Sequence, residues 1–144
     1  MDLSDALGFV RDHRRGVLVT QKRDGRPQMS NIIYAVDDGG VVRISITADR
    51  AKYKNLARDP RASLHVTRED FYAYVVLEGE VELSEVAAAP DDAAVEELVA
   101  LYRAMLGEHD DWDDYRRAMV ADRRVVARLT PTRAYGMLTL PQPD

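Results

Sequence analysis

The sequence predicts a mainly β protein of the α+β class, built as a small antiparallel barrel with helices packed outside it. Roughly six to seven apolar runs have the length and alternation typical of strands. Tight-turn signals such as Asp24-Gly25 join consecutive runs directly, which favours antiparallel hairpins over βαβ units. Strands this numerous in a chain of 144 residues tend to close into a barrel, because open sheet edges invite aggregation.

The first half of the chain alternates helices with hairpin-joined strands. Apolar residues at helical spacing predict a helix over Ser4–Arg14, with Ser4 as its N-cap. A short helix is predicted over Ala51–Arg58, where Asp59-Pro60 stops it. The strands predicted in this half are Val17–Thr20, Met29–Val36 and Val41–Thr47.

The second half places two helices between its strands. The predicted strands are Ala62–Thr67, Tyr72–Leu83, Val125–Leu129 and Arg133–Leu140, of which the last two are separated by Pro131. Gly79 suits a bulge or barrel corner. The predicted helices are Pro90–Leu106, which Gly107 ends, and Trp112–Ala121.

Composition indicates one domain over residues 1–144 and excludes several kinds of site. The chain has no cysteine, so disulfides, thiolate zinc sites, iron–sulfur clusters and a cysteine nucleophile are excluded. Its apolar runs are too short for a membrane span, and its first twenty residues lack the pattern of a secretory signal. We therefore expect a cytoplasmic protein without membrane association.

Common catalytic motifs are missing from the sequence. It contains no GxGxxG after a strand, no Walker GxxxxGK, no GxSxG elbow and no HExxH. His13, His65 and His109 stand far apart, and no metal site is predicted. We interpret His65, which lies in a predicted strand, as a packed or edge residue rather than a ligand.

Positive charge is concentrated in one window, Arg50–Arg61. The formal net charge is −5, yet this window holds five cations against one acid, Asp59. A globally acidic protein with one small basic window argues against nucleic-acid binding, which needs a broad basic face. The window suits a site for a small anionic ligand. The alternative is a helix face with solvated charges and no binding role.

The basic window begins where a predicted strand ends and a predicted helix starts. Backbone N–H groups and the helix dipole already favour an anion at such a place. Arg50 and Lys54 are one helical turn apart, whereas Lys52 points elsewhere if the helix has begun. The candidate phosphate-binding residues are Thr47, Arg50, Lys52 and Lys54.

Two further segments are candidates for contact with a planar ligand. Pro27 cannot donate a ladder hydrogen bond, so its strand should be at a sheet edge or bulged. The polar groups after it, at Gln28, Met29, Ser30 and Asn31, are either an ordinary strand start or donors open to a ligand. The aromatic residues Phe71, Tyr72 and Tyr74 either belong to the core or wall a flat cofactor.

These segments together resemble a known family. Their order is DGRPQMSN, then SITADRAKYKNLARDPRASLHV, then FYAYVVLEGEVEL, a helix, EHDDWDDYRRAMVADRRVV and a final AYG. The combination is similar to the split-barrel flavin-binding superfamily of pyridoxamine phosphate oxidase. Within it, the pattern resembles the actinobacterial branch of F420-dependent oxidoreductases. The resemblance spans roughly residues 3 to 138, and the fold that it implies is an antiparallel split β-barrel of the FMN-binding type.

The resemblance implies a homodimer that binds coenzyme F420 in a groove between its subunits. Arg50 and Lys52 would bind the cofactor phosphate, with Lys54 and Thr47 nearby. Gln28, Met29, Ser30 and Asn31 would lie along the deazaflavin ring. Tyr72 and Tyr74 would come from the partner subunit and cover the ring or the substrate space. Some relatives carry tryptophan at the position of Tyr72, which leaves the substrate preference open.

The implied reaction is hydride transfer from reduced deazaflavin to an electron-poor double bond of a small planar molecule. Tyr34, Tyr72 or solvent would supply the proton, and no catalytic residue is assigned. One alternative is an FMN-dependent oxidase or reductase of the same fold, since one phosphate site can serve both cofactors. The other is a non-catalytic F420-binding or carrier protein.

Overall fold

A computed structural model describes residues 1–139 as one antiparallel sheet with four helices. The helices are α1 (Leu3–Arg11), α2 (Ala51–Arg58), α3 (Ala93–Leu106) and α4 (Trp112–Ala121). The strands are β1 (Arg15–Gln21), β2 (Pro27–Ile33), β3 (Ala35–Val36), β4 (Val42–Thr47), β5 (Arg61–Thr67), β6 (Tyr74–Leu83) and β7 (Arg124–Met137). The strand order is β2-β1-β5-β6-β7-β4-β3, and every neighbouring pair is antiparallel.

The two end strands of this sheet are consecutive in the chain. Tyr34 alone separates β2 from β3, so the sheet must curl until its two ends meet. Tyr34 is buried at this seam, and its hydroxyl donates a 2.7 Å hydrogen bond to the carbonyl of Val10 in α1. The resulting curled half-barrel confirms the predicted split-barrel fold and its mainly β, α+β class.

The concave side of the sheet holds the main hydrophobic core. Inward side chains of the strands, such as Leu18, Leu64 and Leu77, are fully buried there. The apolar face of α1 packs into the same cluster through Ala6 and Val10. Burial of these aliphatic side chains is the main stabilising contribution to the barrel.

The convex side of the sheet is only half covered. Helices α3 and α4 pack on its β4 and β7 part, where Leu98 and Met119 contact Val126. The other part, which we call the open face, consists of the outward side chains of β2, β1, β5, β6 and the C-terminal half of β7. It presents exposed apolar side chains, among them Ile33, Tyr135 and Met137.

Most predicted elements are confirmed, with two corrections among the strands. The predicted strand Met29–Val36 is split at Tyr34 into β2 and β3, because the chain turns there from one sheet edge to the other. The two predicted C-terminal strands form one strand, β7, through Pro131. Gly79 faces Pro131 at a register shift, an irregular place in the ladder where a residue without an N–H is tolerated. The predicted end at Leu140 lies outside the described residues.

Glycine is required at the predicted bulge. A Cβ on Gly79 would lie 2.1 Å from the carbonyl oxygen of Thr130, a distance that no folded chain tolerates. The predicted bulge at this residue is therefore confirmed.

The bounds of α2 and α4 are as predicted, whereas those of α1 and α3 differ, and α1 ends at Arg11 instead of Arg14. The N-cap of α1 is Asp2 instead of Ser4, because the Asp2 carboxylate accepts hydrogen bonds from the amides of Ser4 and Asp5. Helix α3 starts at Ala93, capped by Asp92. Among the described residues, no helix has the length and apolar character that a bilayer crossing requires.

Candidate functional site

Helix α2 is attached to the barrel by a small buried polar network. The Asn55 amide donates to the Thr20 hydroxyl at 3.1 Å, and both side chains are buried. Arg58 donates to Asn55 Oδ1 at 3.0 Å and to the carbonyl of Gln21 at 2.9 Å. Since α2 also packs against β2 and β4, this network fixes where the N-terminus of α2 lies relative to the sheet.

We expect Asn55→Ala to destabilise the protein by about 1–3 kcal/mol, because it leaves the fully buried Thr20 hydroxyl without its partner. Urea denaturation of the variant measures the free energy of unfolding. The matched control is the pair Asn55→Leu with Thr20→Val, which removes both polar groups and should cost less than the two single changes added together. A cost for Asn55→Ala within about 0.5 kcal/mol of zero, as for an ordinary surface substitution, would contradict this role.

A cleft of about 400 Å³ lies where three elements meet: the end of β4, the start of α2 and the junction between α4 and β7. Thr47 and Arg124 are directly opposite each other in the β4–β7 ladder, so their side chains share one face. The residues that line the cleft are Thr47, Asp49, Arg50, Ala121, Asp122, Arg123 and Arg124.

Two polar atoms of the cleft residues are buried without a hydrogen-bond partner among the described residues. They are the hydroxyl oxygen of Thr47 and Nε of Arg124. Buried polar atoms normally have a hydrogen-bond partner, so two without one in a small cleft indicate a site where a ligand would supply the partner. Both can donate a hydrogen bond, which favours an acceptor-rich group such as a phosphate.

Three cations converge next to this cleft. Lys52 is half-buried, and its pKa is lowered first by burial and then by the nearby charges of Arg50 and Arg124. Like charges gathered in this way repel one another, and a bound anion would relieve that repulsion. Arg50 is the N-cap of α2 and makes no side-chain capping hydrogen bond, so the dipole of the helix adds to the attraction for an anion.

Asp49 is an acid on the same rim. The neighbouring Thr47 hydroxyl is the main cause that lowers the pKa of this carboxyl, and Arg50 and Lys54 contribute less. No hydrogen bond of ordinary geometry joins Asp49 and Thr47, so the Thr47 hydroxyl still lacks a partner.

The expected orientation of the basic side chains is wrong in one respect. Lys54 is exposed, whereas Lys52 is the lysine that approaches Arg124. The physical reason is that Arg50 is the N-cap, with an extended backbone of φ −80° and ψ 153°. Its carbonyl accepts a helical hydrogen bond from the Lys54 amide, but its side chain does not follow the direction of the helical residues. Thr47, Arg50 and Lys52 are therefore brought together, and Lys54 lies near Asp49, whose pKa it helps to lower.

The four candidate residues on β2 lie on an edge strand, as the position of Pro27 predicts. Gln28 and Ser30 pair with the buried residues Thr20 and Leu18, so they point to the concave side. The Ser30 hydroxyl is buried without a partner. Met29, which is 60% exposed, and Asn31 point to the open face.

The candidate aromatic residues lie at the far end of the sheet. Tyr72 precedes β6 instead of forming part of it, and Tyr72 and Phe71 are 61% and 80% exposed, so the core interpretation is wrong for both. Tyr74 packs on His65 of β5, with ring centroids 5.6 Å apart, which confirms His65 as a packed residue. An open-face groove of about 620 Å³ lies beside them, lined by Asn31, His65 and Phe71 among others.

Within one chain, the phosphate candidates and the tyrosines lie toward opposite ends of β7. Tyr74 pairs with Met137 at one end of β7, and Arg124 is at the other end. At about 3.3 Å per residue, the contour between them is on the order of 40 Å.

Tyr34 is unsuitable as a proton source. It is buried in the core at the barrel seam, its hydroxyl donates to Val10, and burial raises its pKa well above the ordinary value. In residues 1–139, no group of three or more His, Asp or Glu side chains is placed to hold a metal ion.

Sequence reasoning missed Arg123 and Arg124. They follow the acidic helix α4 and are far in sequence from the basic window, so charge counting along the chain does not connect them to it. Only the pairing of Thr47 with Arg124 places the second arginine at the cleft.

With this geometry in place, comparisons with known proteins identify the family. Residues 5–138 match the family described as pyridoxamine 5'-phosphate oxidase. The chain belongs to the pyridoxamine 5'-phosphate oxidase family. Because the match covers almost the whole chain, the barrel, the cleft and the open face are all parts of this family's domain.

Three solved structures are similar to this chain. A conserved hypothetical protein from Mycobacterium tuberculosis is 26% identical, with a TM-score of 0.75 over 100% of this chain and 91% of its own. An F420 reductase is 29% identical, with a TM-score of 0.63 over 85% of this chain and 89% of its own. The heme storage protein HutZ from Vibrio cholerae is 16% identical, with a TM-score of 0.68 over 95% of this chain and 96% of its own. At this identity the likeness concerns the fold alone.

Proposed function

We propose that this protein is an F420-dependent reductase that transfers a hydride from reduced deazaflavin to an electron-poor double bond of a small planar substrate. The observation that carries the proposal is the cleft at the start of α2, where cations converge on two unpartnered buried donors. The similarity to an F420 reductase over most of both chains supports F420 as the cofactor.

The residues of the cleft fit a cofactor phosphate. Arg50 and Lys52 would hold its charge, the Thr47 hydroxyl would donate to one of its oxygens, and Lys54 would add charge from nearby. Gln28, Met29, Ser30 and Asn31 on β2 would lie along the ring, because α2 packs against this strand. Met29 and Asn31 would contact it through their side chains, and Gln28 and Ser30, which point to the concave side, through their backbone. When bound, the deazaflavin supplies the hydride. The protein orients the ring and the substrate and excludes water between them.

The proposal includes a homodimer, with the cofactor between the subunits. Its support is the open face, where apolar side chains are exposed over several neighbouring strands. A second copy packed on this face would bring the partner's Tyr72 and the partner's Tyr74 toward the ring or the substrate. Because Tyr34 is buried, the proton would come from the partner's Tyr72 or from solvent.

Binding and turnover measurements test the proposal directly. We expect the purified protein to quench the fluorescence of F420 on binding, to bind FMN more weakly, and to oxidise reduced F420 with an enone from a panel of such substrates. Tight binding of FMN alone would favour the FMN-dependent enzyme of the same fold. Tight binding of F420 without turnover on any substrate would favour a carrier protein.

A further inference from the structure

We propose that Arg124 is a third anion-binding cation of the cleft at the start of α2, and that it binds the same phosphate group as Arg50 and Lys52. The inference rests on the proposed function for the identity of the cofactor, but not for the chemistry of the anion. Arg124 lines the cleft, lies opposite Thr47 in the ladder and has a buried Nε without a hydrogen-bond partner.

The charge of Arg124 is poorly neutralised compared with that of other arginines in the chain. Within residues 1–139, its nearest carboxylate oxygen belongs to Asp122, at 3.9 Å, and its only other polar contacts, to Ser45, are 3.5 Å long. In contrast, several arginines have a carboxylate oxygen within 3.0 Å: Arg43, Arg61, Arg68 and Arg103. An arginine held beside Lys52 rather than against a carboxylate is typical of an anion site, not of a structural ion pair.

The turn between α4 and β7 fixes the position of Arg124. The preceding residue, Arg123, has a left-handed backbone with φ 52°, which is strained for a residue with a side chain. Its carbonyl accepts a 3.0 Å hydrogen bond from the amide of Ala48, which anchors the junction to the end of β4. This sharp turn out of α4 lets β7 begin beside Thr47, so the guanidinium is directed to the cleft.

The chemistry of the guanidinium specifies the ligand class. Its planar fork matches two oxygens of a phosphate, and with Lys52 and the Thr47 hydroxyl it would contact several oxygens of one tetrahedral group. Charged groups around it are Arg50, Lys52 and Arg123 on the positive side and Asp49 and Asp122 on the negative side. Positive charges outnumber negative charges around the cleft, which favours a phosphate over a neutral ligand.

Replacement of Arg124 by glutamine separates a binding role from a structural one. We expect Arg124→Gln to bind inorganic phosphate and F420 about tenfold more weakly or worse, by calorimetric and fluorescence titration at low salt. The melting temperature of the ligand-free variant should stay equal or rise, because repulsion from Lys52 is removed. Arg124→Lys should recover part of the affinity, since it keeps the charge but loses the fork. The control is Arg117→Gln, an exposed arginine on α4, with a change below about twofold.

Two results would overturn the inference. One is a phosphate affinity for Arg124→Gln that matches that of Arg117→Gln. The other is a large fall in melting temperature with unchanged phosphate affinity, which identifies a structural arginine. This test is independent of the proposed function. If the protein does not bind F420 but its phosphate binding depends on Arg124, the result supports this inference and contradicts only the F420 assignment.

Discussion

Replacement of Lys52 by alanine is expected to weaken cofactor binding at least about tenfold while the protein remains folded. Lys52 is half-buried beside Arg50 and Arg124, so its ammonium group is partly desolvated and adds to the like-charge repulsion at the cleft. A charge-assisted hydrogen bond to a phosphate contributes about 1.5–3 kcal/mol to binding, which corresponds to roughly ten- to 150-fold in affinity. Removing the lysine also removes repulsion in the ligand-free protein, so its melting temperature should not fall.

Lys54→Ala is the matched control for this prediction. It removes the same charge from the same helix, but Lys54 is exposed, whereas Lys52 is half-buried beside Arg50 and Arg124. We expect its effect on affinity to stay within about threefold, as for a solvated charge. Fluorescence titration with F420 and thermal denaturation give both quantities for each variant. Equal losses for the two variants would mean that general positive charge attracts the ligand, and the assignment of Lys52 would fail.

A charge placed on the open face is expected to convert the proposed homodimer into monomers. Tyr135 is 50% exposed near the end of β7, in register with Val76 of β6, which in turn pairs with His65 of β5. If a second copy covers these side chains of the open face, Tyr135→Arg would bury an unpaired charge in the interface. This would cost several kcal/mol of dimerisation free energy. The monomer should keep its fold, because the tyrosine lies outside the core clusters. Analytical ultracentrifugation reports the oligomeric state.

Cofactor binding is expected to fall together with the dimer. The partner's Tyr72 and the partner's Tyr74 would no longer reach the ligand, so F420 titration of Tyr135→Arg should show weaker binding at protein concentrations where the parent is dimeric. Leu106→Arg is the control, since Leu106 is 56% exposed at the end of α3, which packs on the opposite half of the convex side. A monomeric parent protein, or a Tyr135→Arg variant that stays dimeric, would exclude the open face as the interface.

Local signals in the sequence were sufficient to predict most elements. Ala51–Arg58 and Trp112–Ala121 are helices with the predicted bounds, because their apolar spacing and stop signals act within one or two turns. The bulge at Gly79 and the edge position of β2 are confirmed for a similar reason, since the effects of glycine and proline are local: glycine lacks a Cβ and proline lacks an N–H. The continuity of β7 through Pro131 could not be predicted, because it depends on pairing with β6, where Thr132 is the extra residue at the register shift.

The candidate site was predictable only in part. Charge and spacing place Thr47, Arg50, Lys52 and Lys54 at one strand–helix junction, since they are close in sequence. The choice of Lys52 over Lys54 needed the extended backbone of Arg50, which the sequence does not specify. The exposure of Tyr72 needed the turn before β6, where Phe71 has a φ of 71°.

By itself, the sequence determined a cysteine-free, mainly β chain with one basic window, because residue type, periodicity and turn chemistry act over short distances. Only the tertiary structure decided that Arg124 stands beside that window, that Tyr34 closes the barrel seam, and that the tyrosines of the 72–74 segment lie at the far end of the sheet. These facts depend on which strands pair and in what register. Strand pairing joins residues distant in the chain, and no local pattern specifies it.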